Sequence, residues 1–369
     1  MDEYSSTYKI GIIGPSRVGK TSLLSSLLKD TGRALAGTSI SLRPADQATR
    51  RRIQSHNQDL DGSLRAGEFD SQKLEGTSEK FIFKFCLDPG IESIPGINLE
   101  FLDYPGGLTD PAQLENHPEQ EKQWKECLEF IKESSVVLVP VDAPILMEAS
   151  EAEHKRVGHS LLMTEQTKEI VETWAKIQKR KSESSTLLVF CPLKCESYFI
   201  DDNGSKNTPD ELWNCVTDVY RETINSARKE NSNLEILYAP VDTIGCVSLV
   251  RAAWTPSQDP RIRFDFSAKY RVREPGERQI LGADDVMTAL FKNLLRKIEQ
   301  DRGRRVQVAQ EQYDENPGIF RTILWWITRT QNPRELVLQN EKQIAEEFAH
   351  KLDELANRPH GERVRSFSS

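Results

Sequence analysis

Residues 8–30 read YKIGIIGPSRVGKTSLLSSLLKD and combine a short β-rich run, a glycine-containing loop and a stretch with helical spacing. The loop, residues 14–21, fits the pattern G-x-x-x-x-G-K-[ST] in the strand–loop–helix context that the pattern requires. Gly14 and Gly19 allow backbone angles that point successive N–H groups into one concavity, where they can hold phosphate oxygens. The segment therefore predicts a nucleotide phosphate site rather than an ordinary glycine-rich turn.

The side chains of this loop divide between phosphate and metal binding. The helix that starts beside Lys20 adds its positive dipole end, and the Lys20 ammonium can reach the β- and γ-phosphates. The Thr21 hydroxyl can ligate Mg²⁺. The predicted nucleotide contacts of this segment are Gly14, Pro15, Ser16, Arg17, Val18, Gly19, Lys20, Thr21 and Ser22.

A second motif lies at residues 101–107, which read FLDYPGG and place Asp103 at the end of an apolar run. Asp103 in this position can hold Mg²⁺ through water, and the backbone N–H of Gly106 can meet the γ-phosphate and sense its loss. The alternative is a strand that ends in a Pro-Gly turn with Asp103 as a solvated cap. The preceding run KFIFKFCLD, residues 80–88, alternates like a strand, so the two runs predict a hairpin.

In motif order, residues 8–300 resemble the translation-factor-like (TRAFAC) class of P-loop GTPases. The resemblance implies a P-loop three-layer α/β sandwich, GTP as the nucleotide and Mg²⁺ as its cofactor. In that class an [NT]-K-x-D box reads the base, and the matching stretch here is CPLKCE, residues 191–196. The resemblance places Lys194 over the base and lets the Glu196 carboxylate accept from guanine N1–H and the 2-amino group. Leu193 replaces Asn or Thr and Glu196 replaces Asp, which leaves ATP as the alternative nucleotide.

The same resemblance assigns a base loop and a switch threonine. The last base-contacting loop corresponds to residues 242–245, with Thr243 as the contact, whereas the S-A-K spelling at 267–269 lies inside an alternating strand pattern. The threonine that senses the γ-phosphate and approaches the metal is Thr77, with Thr38 as the alternative. The long switch segment and the motifs YPGG, PLKCE and DTIGC resemble the "double-GTPase" domains of bacterial conflict and defence systems. That likeness implies a protein partner within a multi-protein system.

Hydrolysis is specified less fully than binding. In many GTPases a glutamine follows D-x-x-G and orients the attacking water, whereas this chain has Gly107. Arg17 either stabilises developing charge from within the phosphate loop or points to solvent. We therefore expect a slow GTPase that switches conformation to regulate a partner and accelerates with that partner or on self-association, which allows a homodimer. The alternatives are a nucleotide-loaded interaction module with negligible turnover and an ATPase or kinase.

The composition sets outer limits on function. The chain has 369 residues, 37% hydrophobic and 29% charged, with a net charge of −8 at pH 7. These values argue against a multi-span membrane protein and a disordered chain, and the acidic balance disfavours nucleic acid as the partner. The six cysteines are scattered and make no zinc pattern. Neither a signal peptide nor an apolar run of membrane-spanning length is recognised, so the expected compartment is the cytoplasm.

Strand and helix signals alternate along residues 5–300, which predicts one α/β domain with a mostly parallel sheet and helices on both faces. Unbroken apolar runs at 135–144 and 186–194 predict buried strands. Residues 31–79 are polar and show no clear strand, and a single helix is expected over 148–180.

Residues 301–369 change character and are expected to form a helical extension that ends in a loose tail. Trp325 and Trp326 lie in this extension, where aromatic residues typically dock helices onto a core. The alternatives for the two tryptophans are contact with a protein partner, a membrane-touching role and a base-stacking role.

Overall fold

The fold is given by a computed structural model of the chain. The described residues are 7–29, 31–36, 40–70, 79–88, 96–109, 114, 117–181, 185–200, 206–258, 263–273, 278–315 and 363–367. They form an α/β architecture with a large, mostly parallel sheet and a smaller antiparallel sheet.

Eight strands build the large sheet. The strands of the described residues are β1 (Thr7–Ile12), β2 (Ser41–Pro44), β3 (Glu68–Asp70), β4 (Phe81–Asp88), β5 (Ile97–Asp103), β6 (Val136–Asp142), β7 (Leu187–Leu193), β8 (Glu235–Tyr238), β9 (Val247–Pro256), β10 (Phe264–Val272) and β11 (Arg365–Ser366). The order in the large sheet is β11-β8-β7-β6-β1-β5-β4-β2. Its five central strands run parallel, and β2, β4 and β11 pair antiparallel at the two sides. The loops that follow the parallel strands therefore meet at one edge of the sheet.

Helices cover both faces of this sheet. The helices of the described residues are α1 (Lys20–Lys29), α2 (Thr31–Leu35), α3 (Gln47–Arg65), α4 (Pro118–Glu133), α5 (Ala143–Met147), α6 (Ala152–Leu161), α7 (Thr164–Arg180), α8 (Pro209–Val219), α9 (Arg221–Glu230) and α10 (Ala283–Glu315). Apolar residues of α1, α2 and α10 join one core cluster, and those of α4, α7, α8 and α9 join another. The arrangement confirms the predicted α/β class with helices on both faces.

Successive side chains of a strand point to opposite faces of the sheet, so each central strand contributes residues to both core clusters. In β6, Val136 and Leu138 belong to the first cluster, whereas Val137, Val139 and Val141 belong to the second. Every residue of β6 and β7 is buried, as their unbroken apolar runs predict. The hairpin predicted from 80–107 is also confirmed, because β4 pairs antiparallel with β5 over its whole length.

A second sheet of three strands has the order β3-β10-β9. Its β9–β10 hairpin rests on the helices after β6. The Trp254 ring stacks on the His154 ring at 4.8 Å between centroids, and its Nε1 donates to the Glu148 carbonyl at 3.0 Å. The pattern of residues 261–272 predicts an edge strand, whereas β10 is the central strand and pairs with both β3 and β9. The sequence does not predict β9, because its exposed and half-buried residues do not alternate.

The polar segment 31–79 is more regular than predicted. Helix α3 begins after Asp46, whose carboxylate accepts from Thr49 N at 2.7 Å. The Thr49 hydroxyl accepts from Lys84 N at 3.0 Å, which fastens the helix to β4. The expectation of no strand is wrong for β2 and β3, because both are short and form through partner strands distant in sequence.

The helix expected over 148–180 is wrong as a single element. Residues 143–180 instead form α5, α6 and α7, with the last break at Met163. Met163 adopts a left-handed φ of 51°, which a continuous α-helix does not allow.

Two segments beyond residue 300 are described, and the second of them joins the main sheet. Helix α10 runs through the predicted boundary at residue 300 to Glu315. Residues 363–367, expected in a loose tail, contain β11, which pairs with β8 at Arg365↔Tyr238 and Ser366↔Leu237. Trp325 and Trp326 lie outside the described residues. In the parts of the chain described here, no helix has the length and apolar character to cross a bilayer.

Candidate functional site

The loop of residues 14–21 connects β1 to α1 at the carboxyl edge of the parallel strands. Gly19 has a φ of 107° and Arg17 a φ of 61°, so two positions of the loop use the left-handed region. Gly19 meets this requirement without a Cβ, and its freedom lets the chain turn directly into the helix that starts at Lys20. The local sequence thus builds the turn that the motif predicts.

The Lys20 ammonium lies inside this turn. Its Nζ donates to the Gly14 carbonyl at 2.9 Å and to the Pro15 carbonyl at 2.8 Å. The side chain is buried, and burial lowers the pKa of Lys20 to about 8, although the Asp103 carboxylate opposes the shift. The ammonium also lies 4.9 Å from the centre of the Tyr104 ring. The site therefore holds a desolvated cation beside a concave loop, which suits an anionic ligand.

The predicted metal-binding pair is in direct contact. The Thr21 hydroxyl donates to Asp103 Oδ2 at 2.7 Å. Asp103 is fully buried at the end of β5, and β5 pairs parallel with β1, which brings the two sequence motifs together. A hydroxyl and a carboxylate are hard oxygen donors of the kind that Mg²⁺ prefers, so the donor set fits this ion.

Gly106 packs directly against the phosphate loop. An ideal Cβ at Gly106 would lie 2.0 Å from Ser16 N and 2.2 Å from Ser16 Cα, so the contact tolerates no side chain. In the same interface Gly14 N donates to the Tyr104 hydroxyl at 3.4 Å. Two predicted contacts from separate motifs thus touch through their backbones.

The Lys194 side chain crosses from β7 toward the same loop. Its Nζ donates to the Arg17 carbonyl at 3.2 Å and pairs with the Asp142 carboxylate at the end of β6. Lys194 has a left-handed φ of 58°, which turns the chain sharply after the strand. Leu193, the departure from Asn or Thr in the motif, packs beneath the loop, where its Cδ1 would lie 3.1 Å from a Cβ on Gly19. An apolar residue here is explained by that packing.

Glu196 is a buried acid at the bottom of a cleft. Its Oε1 accepts from Ile244 N at 3.1 Å and from Gly245 N at 3.2 Å. Its Oε2 is buried and has no hydrogen-bond partner among the described residues. Burial raises the pKa of Glu196 to about 7, and the nearby Asp242 carboxylate adds to the increase. A buried carboxylate oxygen with spare acceptor capacity is a recognition group for a ligand that donates hydrogen bonds.

The cleft joins the predicted base residues to the phosphate loop. Its cavity volume is about 30 Å³, and its mouth is open to solvent. Its lining includes Val18, Gly19, Ser22, Lys194, Glu196 and Thr243, together with Leu60, Leu193, Ile244, Val247 and Tyr270. The fold therefore places the base-reading predictions beside the phosphate-binding ones.

Other predicted residues are not part of this cluster. Thr77 and Thr38 lie outside the described residues. The Arg17 side chain is exposed, and Gly107 lies in the short 3-10 turn Gly106–Thr109. The 267–269 segment lies within β10, as its alternating pattern predicts.

Several residues at the site were not found from the sequence. Arg278 is buried and donates to Asn57 Oδ1 at 2.9 Å and to the Thr243 carbonyl at 3.4 Å, so it ties α3 to the base loop. Leu60 of α3 closes the cleft, and Arg363 pairs with Asp242 beside it. These contacts join segments that are distant in the chain, so no local sequence pattern predicts them.

Comparison with known proteins leaves the family of this chain open. No protein-family model matches the sequence, and no curated protein matches it significantly.

Within the described residues, no group of three or more His, Cys, Asp and Glu side chains could hold a metal ion without other ligands. A metal at Thr21 and Asp103 would therefore need further oxygens from a ligand or from water.

Proposed function

We propose that this chain is a P-loop nucleotide-binding protein that hydrolyses GTP with Mg²⁺ and changes conformation to regulate a protein partner. The observation that carries the proposal is the 2.7 Å hydrogen bond between Thr21 and Asp103 beside the buried Lys20. It brings two motifs 82 residues apart into contact, which supports a single site for phosphate and metal. The Thr21 hydroxyl and the Asp103 carboxylate would hold Mg²⁺, which neutralises phosphate charge when bound.

The cleft supports guanine as the base. Guanine presents two neighbouring donors, N1–H and the 2-amino group, and the free Oε2 of Glu196 can accept from them. Adenine offers an acceptor at its N1 position, which a carboxylate cannot satisfy. Lys194 would lie along the base while its ammonium remains paired with Asp142.

Turnover in this proposal is slow in the isolated chain. Gly107 supplies no side chain to orient water, and Arg17 is exposed. Rearrangement of 31–79 and 103–118 on nucleotide binding would present a changed surface to the partner. The missing water-positioning group also favours a second candidate, a nucleotide-loaded interaction module whose turnover is negligible.

The test is Mg²⁺-dependent binding of fluorescent GTP and ATP analogues to the wild-type chain, Lys20→Ala and Glu196→Gln. Lys176→Ala, an exposed lysine on α7, is the matched control. We expect Lys20→Ala to abolish binding of both nucleotides. Glu196→Gln should reduce GTP binding selectively, because an amide places donor capacity opposite the guanine donors.

Each outcome has a defined meaning. Equal binding of GTP and ATP would contradict the GTPase proposal and favour an ATPase. Binding of neither nucleotide would refute a nucleotide-binding function. Direct measurement of phosphate release against protein concentration then separates the two candidates. A rate per molecule that rises with concentration supports self-activated hydrolysis, and no release at any concentration supports the interaction module.

A further inference from the structure

The C-terminal residues 363–367 reach the base loop from the far end of the chain. Strand β11 pairs antiparallel with β8, and residues 239–241 connect β8 to the loop of residues 242–245. Phe367 N donates to the Ile236 carbonyl at 3.1 Å, which extends the pairing. Docking of β11 thus sets the position of Arg363 next to Asp242.

Arg363 and Asp242 form an ion pair that is removed from solvent. Their side chains are 7% and 0% exposed, and Arg363 Nη1 donates to Asp242 Oδ2. The Arg363 guanidinium lies 4.1 Å from the centre of the Phe199 ring, which limits its freedom to leave. Asp242 Oδ1 accepts from Cys195 Sγ at 3.1 Å. Both carboxylate oxygens of Asp242 are therefore engaged in one defined geometry.

Asp242 and Glu196 are both connected to the loop of residues 242–245. Asp242 begins it, and Glu196 accepts from the backbone of Ile244 and Gly245. Both acids are buried, and the Asp242 carboxylate opposes ionisation of Glu196 unless a cation compensates it. Arg363 is the cation that pairs with Asp242.

We propose, on the basis of the nucleotide function above, that Arg363 is a positioning residue for base recognition. By pairing with Asp242 it keeps Glu196 an acceptor for guanine, so that guanine preference depends on docking of the C-terminal strand. Arg363 itself does not line the cleft that would receive the base. It acts through Asp242.

The titration of Glu196 can be followed because the two thiols and the tyrosine beside it stay protonated near neutral pH. The titratable groups that face it are Asp242, Cys195, Cys246 and Tyr270, and the charged groups at the loop are Lys194, Arg273, Arg278 and Arg363. Burial raises the pKa of Cys195, Cys246 and Tyr270, so these three remain protonated. A transition in guanine binding near pH 7 then reports the coupled pair of Glu196 and Asp242.

The test compares Arg363→Gln with Arg365→Gln. Arg365 lies in β11, two residues further along the chain than Arg363, and pairs with Asp210 at the surface, so its variant is a matched control. Dissociation constants for GTP and ATP analogues are measured between pH 5.5 and 9. Wild type should gain GTP affinity as pH rises through about 7. In Arg363→Gln that rise should move up by about one pH unit, which weakens GTP about fivefold at pH 7 and leaves ATP unchanged.

Two further variants separate charge from structure. Asp242→Asn/Arg363→Gln removes both charges and should return the pH dependence to the wild-type range or below it. Arg363→Lys keeps a cation and should retain most of the guanine preference. A purely structural defect would respond to neither change.

The possible results decide separate claims. If wild type prefers GTP and Arg363→Gln shows the same pH profile as Arg365→Gln, the role of Arg363 is refuted and the GTPase proposal stands. An equal loss of GTP and ATP binding at every pH, repeated in the double variant, also refutes it. Failure of wild type to bind either nucleotide refutes the proposed function and the role of Arg363 together.

Discussion

Gly106 and the phosphate loop are in backbone contact, which leaves no room for any other residue at position 106. Because a Cβ would lie 2.0 Å from Ser16 N, a substitution must move one of two backbone segments. Any displacement of 103–109 is thus transmitted directly to the loop of residues 14–21. At this position the residue type follows from close approach, since Gly106 is not among the residues with a positive φ.

Gly106→Ala tests this contact. We expect a loss of nucleotide affinity of at least tenfold and a decrease of about 1–3 kcal/mol in the free energy of unfolding, because the loop must shift to accept the methyl group. Gly62→Ala is the control, since nothing lies within 4 Å of a Cβ there and the site is within α3. Alanine in that helix should stabilise the protein by about 0.5–1 kcal/mol. Urea unfolding and analogue binding measure both effects, and equal behaviour of the two variants would contradict the close contact.

Lys20 lowers the stability of the nucleotide-free protein, whereas Gly106 is required for its packing. Its pKa is lowered by burial to about 8, so the folded state disfavours the charged form that an unfolded chain holds up to its ordinary pKa of 10.5. The unfolded state therefore binds more protons between these values, and stability of the wild type rises with pH across that window. Below pH 8 the full cost of the buried charge is present.

Lys20→Met should consequently stabilise the nucleotide-free protein. We expect about 1–2 kcal/mol at pH 7, after allowing for the lost hydrogen bonds to Gly14 and Pro15, with the advantage decreasing as pH rises from 8 to 10.5. Urea unfolding at pH 7 and pH 9.5 measures it, with the exposed Lys176→Met as control. A variant less stable than wild type at pH 7 would show that the two carbonyl bonds outweigh desolvation.

At the scale of elements, α3 illustrates how a polar helix is held in place. Only Thr49 and Leu60 of its nineteen residues are buried. Its position depends on the Asp46 cap, on Thr49 against β4 and on Asn57 against Arg278. Polar anchors at chosen points thus replace a continuous apolar face.

Asp46→Ala should remove the cap and cost about 1 kcal/mol in the free energy of unfolding. The loss includes the hydrogen bond to Thr49 N, whose hydroxyl also fastens the helix to β4. Asp59→Ala, an exposed position in the same helix, should change stability by less than about 0.5 kcal/mol. Thermal unfolding of the two variants, compared with wild type, checks the difference.

Elements with a strong local pattern could be predicted, and those that depend on distant partners could not. The fully buried β6 and β7 follow from unbroken apolar runs, and the 14–21 loop follows from its spacing. β2, β3 and β9 are short, polar or irregular, and they form because β4 and β10 offer them an edge. At the site, Thr21 and Asp103 could be paired from their motifs. Arg363 could not, because it reaches Asp242 across 121 residues.

At the scale of the whole molecule, the described residues begin and end on the same sheet. Phe367 is 8% exposed and packs 4.5 Å from the Trp213 ring and 5.7 Å from the Phe190 ring. Few other residues of 363–367 contribute apolar area, so this ring is the main apolar anchor of β11. The anchor connects the last strand to both β7 and α8.

Phe367→Ala should therefore release the strand. We expect a loss of about 3 kcal/mol in the free energy of unfolding, from lost burial and the cavity between Trp213 and Phe190. Ile200→Ala is the control, because Ile200 is a large apolar residue that is 66% exposed and should cost less than about 0.5 kcal/mol. Hydrogen exchange at the β8 amides gives a second measurement. Unchanged protection there would mean that β11 stays paired without its anchor.

The two-residue strand β11, the last described strand in chain order, has a consequence for association between molecules. When β11 leaves, the outer edge of β8 presents unpaired N–H and C=O groups, which are a template for any extended chain. The sequence that fits this edge best is residues 363–367 itself, and a second copy carries the same segment. A chain truncated before residue 363 should therefore capture the C-terminal strand of an intact copy, and the resulting dimer, in which only the intact copy donates a strand, would be held together by the contacts that otherwise close a single molecule.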